Sequence, residues 1–225
     1  MLAALVLFVS LARWQLRRAD EKQALYDAFA AGTGSTVTVT GATAPQPRYQ
    51  HIEAHGHYAA DRQVLIDNMV SAEGGAGYYV LTPFALEGGG WLMVNRGWIP
   101  VGPSRKIKPD VAVGTDERQV RGRADHLPVP GIHMGTAAPL SAPYPALANF
   151  PTSADLSALY GIKDFSPATQ VLLLDKGEAD GYLRAWAPPG ISPMRHLAYA
   201  VQWFGLALAL IVIYVVTNLK RIAHE

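Results

Sequence analysis

The sequence predicts a membrane protein in which two apolar segments at the ends of the chain bracket a β-rich α+β domain. The first observation behind this prediction is a pair of apolar runs, residues 2–12 and residues 197–216. The second is the long stretch between them, where short β-branched and aromatic runs alternate with glycine- and proline-rich turns. Only 16% of the residues are charged, which is low for a soluble domain and agrees with membrane segments.

The N-terminal apolar run is stopped by Arg13. About twelve residues are too few to span a bilayer, and no basic residue precedes them as in a signal peptide. We therefore expect residues 1–14 to be part of a first transmembrane helix whose start lies upstream, with a cleaved or interfacial leader as the alternative. After Trp14 the helical pattern continues to Gly32, which is a stop signal.

The middle of the chain is predicted to form strands at residues 37–40, 63–67, 78–81, 91–95, 119–121 and 170–174. The glycines of residues 87–90 predict a hairpin between two of these strands. One short helix is predicted among the strands, because Thr152 can cap it, Asp155 occupies its first turn and Gly161 can end it. Residues 125–151 are rich in proline and are interpreted as an irregular connection within the same domain.

Composition excludes several classes of function. The chain has 19 Lys and Arg against 18 Asp and Glu, so it offers no basic surface for nucleic acid. It has no cysteine, which excludes thiolate nucleophiles, disulfides and thiolate metal sites. Neither a phosphate-binding glycine loop nor a serine nucleophile elbow is present in the sequence. We therefore do not expect an enzyme.

A histidine cluster in the middle region admits two interpretations. In an extended strand His51, Glu53, His55 and His57 would share one face, so the group could bind zinc or copper. Neighbouring residues on that face are about 6.6 Å apart, however, and four of them cannot reach one ion without a bend. An exposed polar strand face is the favoured interpretation. Arg96 likewise could serve a partner or hold strand ends by hydrogen bonds.

The C-terminal apolar run has the length of a transmembrane helix. Residues 197–216 span about 30 Å, the hydrocarbon thickness of a bilayer. At about 100° per residue His196, Tyr199 and Trp203 share one stripe, which is either an interfacial aromatic belt or a metal-ligand site. Gln202 lies about 120° from His196, so we expect it to meet a different partner such as the first helix.

The basic residues near the two helices give a weak indication of topology. Five of them flank the middle region, Arg13, Arg17, Arg18, Lys22 and Arg195, and two follow the last helix, Lys220 and Arg221. This count alone would place the middle region inside the cell. A region of about 170 residues translocates largely regardless of charge, so the count does not decide the topology.

Five motifs in order resemble the Surfeit locus protein 1 family, assembly factors of haem–copper cytochrome c oxidase. They are LARWQLRR at residues 11–18 with a following lysine, GHY at 56–58 with LIDN at 65–68, GYYVLTP at 77–83, VNRGWIP at 94–100, and HLAYAVQWF at 196–204. The resemblance covers essentially the whole chain. Ala12 stands where the family prefers glycine, and the histidine cluster is not part of the family pattern.

The resemblance implies a fold class of two transmembrane helices bracketing an extracytoplasmic domain, in a multi-pass protein of the bacterial inner membrane. The implied boundaries are residues 1–14 for the first helix, 15–192 for the periplasmic domain, 195–219 for the second helix and 220–225 for a cytoplasmic tail. This topology replaces the one given by the charge count.

The resemblance also implies a cargo and a partner. Bacterial members bind haem a and help to place it in the catalytic subunit of the oxidase, so His196 is expected to be the axial ligand of the haem iron. Four neighbours are expected to complete the site: Tyr199, Trp203, Trp14 and Gln15. Arg13, Arg17 or Arg195 would pair with the propionates. The expected partners are the oxidase subunit, the haem a synthesis machinery and membrane lipid, but not nucleic acid.

Two other functions remain open from the sequence. The first is a cofactor-free membrane scaffold that holds an oxidase assembly intermediate. The second is a copper-handling factor that uses His51, His55 and His57.

Overall fold

The computed structural model describes residues 1–32, 34–41, 43–71, 74–129, 140, 143–161 and 170–222. The chain divides into two compact units, Ala31–Ala187 and a second unit made of Met1–Ala30 together with Pro188–Glu225. The elements in chain order are α1 (Leu2–Ala31), β1 (Thr36–Val39), β2 (His51–Tyr58), β3 (Val64–Val70), β4 (Ala76–Leu86), β5 (Trp91–Pro100), β6 (Arg118–His126), β7 (Ala146–Ala148), α2 (Ser153–Tyr160), β8 (Gln170–Leu174) and α3 (Pro193–Ile222).

Five strands of the first unit close into a barrel. Around the ring, β2 pairs with β6, β6 with β8, β8 with β5, β5 with β4, and β4 again with β2. All these pairs are antiparallel except β5 with β8. Closure depends on the length of β4, since its first half pairs with β3 and its last residues pair with β2. The barrel confirms the predicted β-rich domain.

The barrel buries side chains on both faces of its strands. In β8, Leu172 and Leu174 belong to one apolar cluster, whereas Val171 and Leu173 belong to a second. This division follows from the alternation of side chains along a strand. The second cluster includes Leu156 of α2, so this helix covers one outer face of the sheet. Each such fully buried aliphatic side chain stabilises the fold by about 1.5–3 kcal/mol.

Local sequence signals located most of these elements. The predicted hairpin is confirmed, with β4 ending at Leu86 and β5 beginning at Trp91. The predicted short helix is confirmed as α2. Thr152 and Asp155 exchange hydrogen bonds in a capping box, and Gly161 adopts the left-handed conformation at the C-terminus of the helix.

The proline-rich connection differs from the prediction. Residues Ala146–Ala148 form β7, which pairs in parallel with β3. Three residues are too short to give a periodic signal, so this strand is recognisable only from its partner. Residues 130–139 and 141–142 of the same connection lie outside the described part of the chain.

The other unit contains the two long helices, each of 30 residues. Within the described residues one segment, Pro193–Leu219 of α3, is long and apolar enough to cross a membrane. This finding confirms the predicted apolar C-terminal helix. The helix α1 continues through residue 14 without interruption, and a first membrane span ending there stays a prediction. On the surface of α1, Arg18 forms an ion pair with Glu21, with 2.6 Å between Arg18 Nη1 and Glu21 Oε2.

Candidate functional site

Three contacts join α1 to the segment that contains α3. The ring centroids of Phe8 and Trp203 are 5.7 Å apart, the Gln15 Oε1 atom lies 2.7 Å from His196 Nδ1, and the Lys22 Nζ atom donates to the Pro189 carbonyl at 2.9 Å. From one contact to the next, the residue in α1 moves seven positions forward along the chain and its partner moves seven positions back. Seven residues are about two helical turns. The two helices are therefore antiparallel and keep one register along their seam.

Small side chains separate these contacts. The buried positions between them are alanines, Ala12 and Ala19 of α1 and Ala200 of α3, and buried Ala207 follows the contact at Trp203 by one turn. Small residues at such positions let two helix backbones approach closely. The sequence prediction placed Gln15 in one site with His196 and Trp203, but it identified neither the buried alanines nor Phe8. A seven-residue spacing in both helices, marked by the two alanine pairs, is the signal that could have revealed the seam.

The polar centre of the seam is the pair formed by His196 and Gln15. Their residues are only 8% and 9% exposed, and the 2.7 Å hydrogen bond joins the imidazole Nδ1 to the amide oxygen. The other ring nitrogen, Nε2, has no hydrogen-bond partner among the described residues. The seam thus holds a buried imidazole with one nitrogen engaged and one nitrogen open to a ligand.

The other predicted site residues lie at different distances from this pair. Trp203 is partly buried in the same seam, where it packs against Phe8. Tyr199 lies one turn after His196 and is 43% exposed, at the margin of the seam. Trp14 is 44% exposed, and its position is about 100° around α1 from Gln15. The structure brings His196 and Gln15 into contact and leaves Trp14 on a different face.

The expectation for Gln202 is wrong. Gln202 is exposed. The glutamine that forms a hydrogen bond between the two helices is Gln15 of α1, and its partner is His196 of α3. The physical reason is that the buried face of α3 is centred between His196 and Ala200. A residue about 120° away from that face points out of the seam.

The arginines proposed for propionate binding are not equivalent. Arg13 and Arg17 are each two positions from Gln15, so both lie about 160° around α1 from the seam. Both are exposed. Arg195 is also exposed, but it directly precedes His196 in the chain. Of the three arginines, Arg195 lies nearest to the buried imidazole in sequence and on the helix surface.

The histidine cluster of β2 is held by hydrogen bonds within the barrel. His51 Nε2 lies 2.6 Å from Asp175 Oδ2, and its Nδ1 lies 3.0 Å from the Thr36 hydroxyl. His55 and His57 are exposed on the same face of the strand. Across the described ranges, no group of three or more histidine and carboxylate side chains is arranged to hold a metal ion. The geometry favours the polar strand face over a copper site.

Arg96 of β5 is a structural residue of the barrel. Its buried guanidinium donates to the Asp180 carbonyl at 2.8 Å, and at 2.9 Å to both the Gln63 side-chain oxygen and the Val111 carbonyl. It also lies over the Tyr182 ring, 5.1 Å from the centroid. These contacts use the planar fork of arginine in several directions, and they support the interpretation that Arg96 holds strand ends and loops.

Comparison with known proteins assigns the chain to a family. The sequence model of the SURF1 family matches residues 2–208, which include the barrel and both halves of the helix seam. The chain belongs to the SURF1 family. Members of this family are membrane-associated and are generally connected with cytochrome oxidase assembly.

Bacterial relatives carry the same family name. A SURF1-like protein of Rickettsia felis is 25% identical over 229 residues, which cover 96% of this chain and 93% of the relative. A SURF1-like protein of Rickettsia conorii is 24% identical over 97% of this chain and 90% of its own length. An uncharacterised SURF1-like protein of Mycobacterium bovis is 26% identical over 168 residues, or 74% of this chain and 58% of the relative. The similarity to the two rickettsial proteins therefore extends over the barrel and both long helices.

Proposed function

We propose that this SURF1 family member is an assembly factor for haem–copper cytochrome c oxidase that binds haem a through His196 and helps its insertion into the catalytic subunit. One observation supports the proposal above all. His196 is a buried histidine in the seam between α1 and the apolar helix α3, with Nδ1 engaged by Gln15 and Nε2 without a partner among the described residues. Ionisable side chains inside membrane helices commonly mark functional sites.

The residues around His196 fit an amphipathic iron porphyrin. A neutral imidazole nitrogen is a ready axial ligand for haem iron. Tyr199 and Trp203 offer aromatic surface within two turns of the histidine, and exposed Arg195 offers a cation for a propionate. Iron and porphyrin are cargo here, and the protein supplies binding and orientation. We propose no covalent chemistry for the protein and do not regard it as an enzyme.

The proposal includes an arrangement in the bacterial inner membrane. The segment Pro193–Leu219 is the second span, and residues 1–14 belong to the first. The barrel is then periplasmic, and the end of α3 with Lys220 and Arg221 is cytoplasmic. His196 is near the start of α3, so it would lie at the outer membrane boundary. There it could receive haem a from the synthesis machinery and present it to the oxidase subunit within the lipid.

The decisive experiment compares histidine variants of the full-length protein, purified in detergent from cells that make haem a. The His196→Ala variant is expected to lose the haem a absorption bands, because it lacks the only proposed axial ligand. The His57→Ala variant is the matched control, since it removes an exposed histidine of the barrel, and it should keep the bands. A His196→Ala protein with full haem a and an unchanged spectrum would contradict the proposal.

The same preparations separate the proposed function from a cofactor-free scaffold. Both functions predict that the wild-type protein co-purifies with the oxidase catalytic subunit. A wild-type protein that co-purifies with this subunit but contains no haem a would indicate the scaffold. A His196→Ala protein that loses haem a and still binds the subunit would show that the chain carries the two activities on different residues.

A further inference from the structure

We infer that Gln15 is a positioning residue, which fixes the tautomer and orientation of His196 so that Nε2 faces the incoming iron. The inference rests on the proposed function and adds a role for the partner helix α1. In this view α3 supplies the ligand, whereas α1 decides which nitrogen of the ligand is available.

The hydrogen bond determines where the imidazole proton is. The side-chain oxygen of Gln15 can only accept, and it lies 2.7 Å from His196 Nδ1. Nδ1 must therefore carry the hydrogen and donate it. A neutral imidazole has one N–H, so Nε2 keeps its lone pair, and this is the form that coordinates a metal.

Burial makes this selection strong. His196 and Gln15 are both more than nine-tenths buried, so little water can replace the amide oxygen as the acceptor. The contacts of Phe8 with Trp203 and of Lys22 with Pro189, one on each side along α1, hold the register of the two segments. The acceptor is consequently fixed on one side of the ring, and Nε2 is turned away from Gln15.

The expected effect on the iron follows from the hydrogen bond that a ligating imidazole makes through its other nitrogen. A ligating histidine that donates its other N–H to an acceptor is fixed in orientation and becomes a more basic ligand. Loss of such an acceptor weakens metal affinity about 10- to 100-fold. A stronger acceptor should instead increase electron donation to the iron.

Two substitutions of similar length separate an acceptor from a merely space-filling side chain. Gln15→Glu keeps a side-chain oxygen that accepts and, as a carboxylate, is a stronger acceptor than the amide, whereas Gln15→Met fills the seam without a good acceptor. We expect Gln15→Glu to retain haem a binding, with a higher iron–histidine stretching frequency in resonance Raman spectra of the reduced protein. We expect Gln15→Met to bind haem a about 10- to 100-fold more weakly, with a lower frequency.

Gln202→Met is the matched control, because Gln202 is an exposed glutamine of α3 close to the same site. It should leave affinity and frequency unchanged. The inference is overturned if Gln15→Met binds haem a like the wild type, or if neither Gln15 variant shifts the iron–histidine frequency while His196→Ala abolishes binding. Should His196→Ala leave binding intact, the proposed ligand itself would be wrong, so the two failures are distinguishable. If Gln15→Met does not fold, Gln15→Glu alone decides, since an unshifted frequency in that variant contradicts the inference.

Discussion

Gln15 Oε1 and His196 Nδ1 are joined by a 2.7 Å hydrogen bond across 181 positions of sequence. This bond places the only buried histidine of the described residues at the junction of the two long helices. A site of this kind depends on both helices, because one supplies the imidazole and the other supplies its acceptor. Substitutions that change the distance between the helices should therefore change cargo binding without touching the ligand.

The alanine seam gives the first prediction. Ala200→Leu adds a bulky side chain at a buried position one turn from His196, so it should force α1 and α3 apart. Overpacking of this kind costs about 1–3 kcal/mol. We expect weaker haem a binding in a spectrophotometric titration of the detergent-solubilised protein. Ala198→Leu is the control, since Ala198 is exposed on the other side of α3, and equal losses in both variants would contradict the prediction.

The positions of the arginines give the second prediction. Arg195→Gln should weaken haem a binding about tenfold, because a charge-assisted hydrogen bond to a propionate is worth roughly 1.5–3 kcal/mol. Arg13→Gln should change the affinity little, since Arg13 lies about 160° from Gln15 on α1. Titration of both variants with haem a measures the difference. A larger loss of haem a affinity in Arg13→Gln would show that the propionates bind on the face of α1 opposite to the seam.

Arg96 gives the third prediction, which concerns stability of the barrel. Arg96→Lys keeps the charge but loses the fork that reaches Gln63 and two backbone carbonyls. We expect the free energy of unfolding to fall by about 3 kcal/mol or more, as several charge-assisted hydrogen bonds are lost. Denaturant unfolding followed by near-ultraviolet circular dichroism measures this loss. The control Arg62→Lys, at a side chain that is 43% exposed, should stay within about 0.5 kcal/mol of the wild type.

Tyr58 gives the fourth prediction, a dependence on alkaline pH. Burial raises the pKa of the Tyr58 hydroxyl from 10.0 to about 12. The folded state thus holds this proton more tightly than the unfolded state. Below pH 10 the stabilisation is fully present, and it is lost as the pH rises from 10 towards 12. At about 1.4 kcal/mol per pKa unit, the loss attributable to Tyr58 is roughly 3 kcal/mol.

The Tyr58→Phe variant isolates this contribution. Its free energy of unfolding should decline less than that of the wild type between pH 10 and 12. At pH 7 the variant should be at least as stable as the wild type, because the Tyr58 hydroxyl is buried and has no hydrogen-bond partner among the described residues. Parallel stability curves for the two proteins across the alkaline range would contradict the prediction.

The sequence predicted those parts of the fold that depend on local chemistry. Thr152, Asp155 and Gly161 specify the ends of α2 by themselves, so the helix was recognised without knowing its neighbours. The strand β7 has no such signal, since three residues become a strand only by pairing with β3. Closure of the barrel was likewise not predictable, because it depends on β4 changing partners between β3 and β2.

In the candidate site, too, local features were predictable and contacts between distant segments were not. The single-helix periodicity of α3 correctly placed His196 and Trp203 on one face. It did not show which residue of α1 meets them, and Gln15 was expected in the site only from the family resemblance. The pairing of Gln15 with His196 is set by the register of two helices that are far apart in the sequence. It follows from packing along the seam and not from the periodicity of either helix alone.

The sequence distance across the helix seam also has a consequence for biosynthesis. At about 5–20 residues per second, a ribosome needs roughly 10–40 s to travel from Gln15 to His196. During that interval the acceptor exists without its imidazole, and a nascent chain cannot capture cargo at this place. Under the proposed function, haem a binding would therefore begin only after translation has passed the barrel, and incomplete chains would not hold a reactive porphyrin.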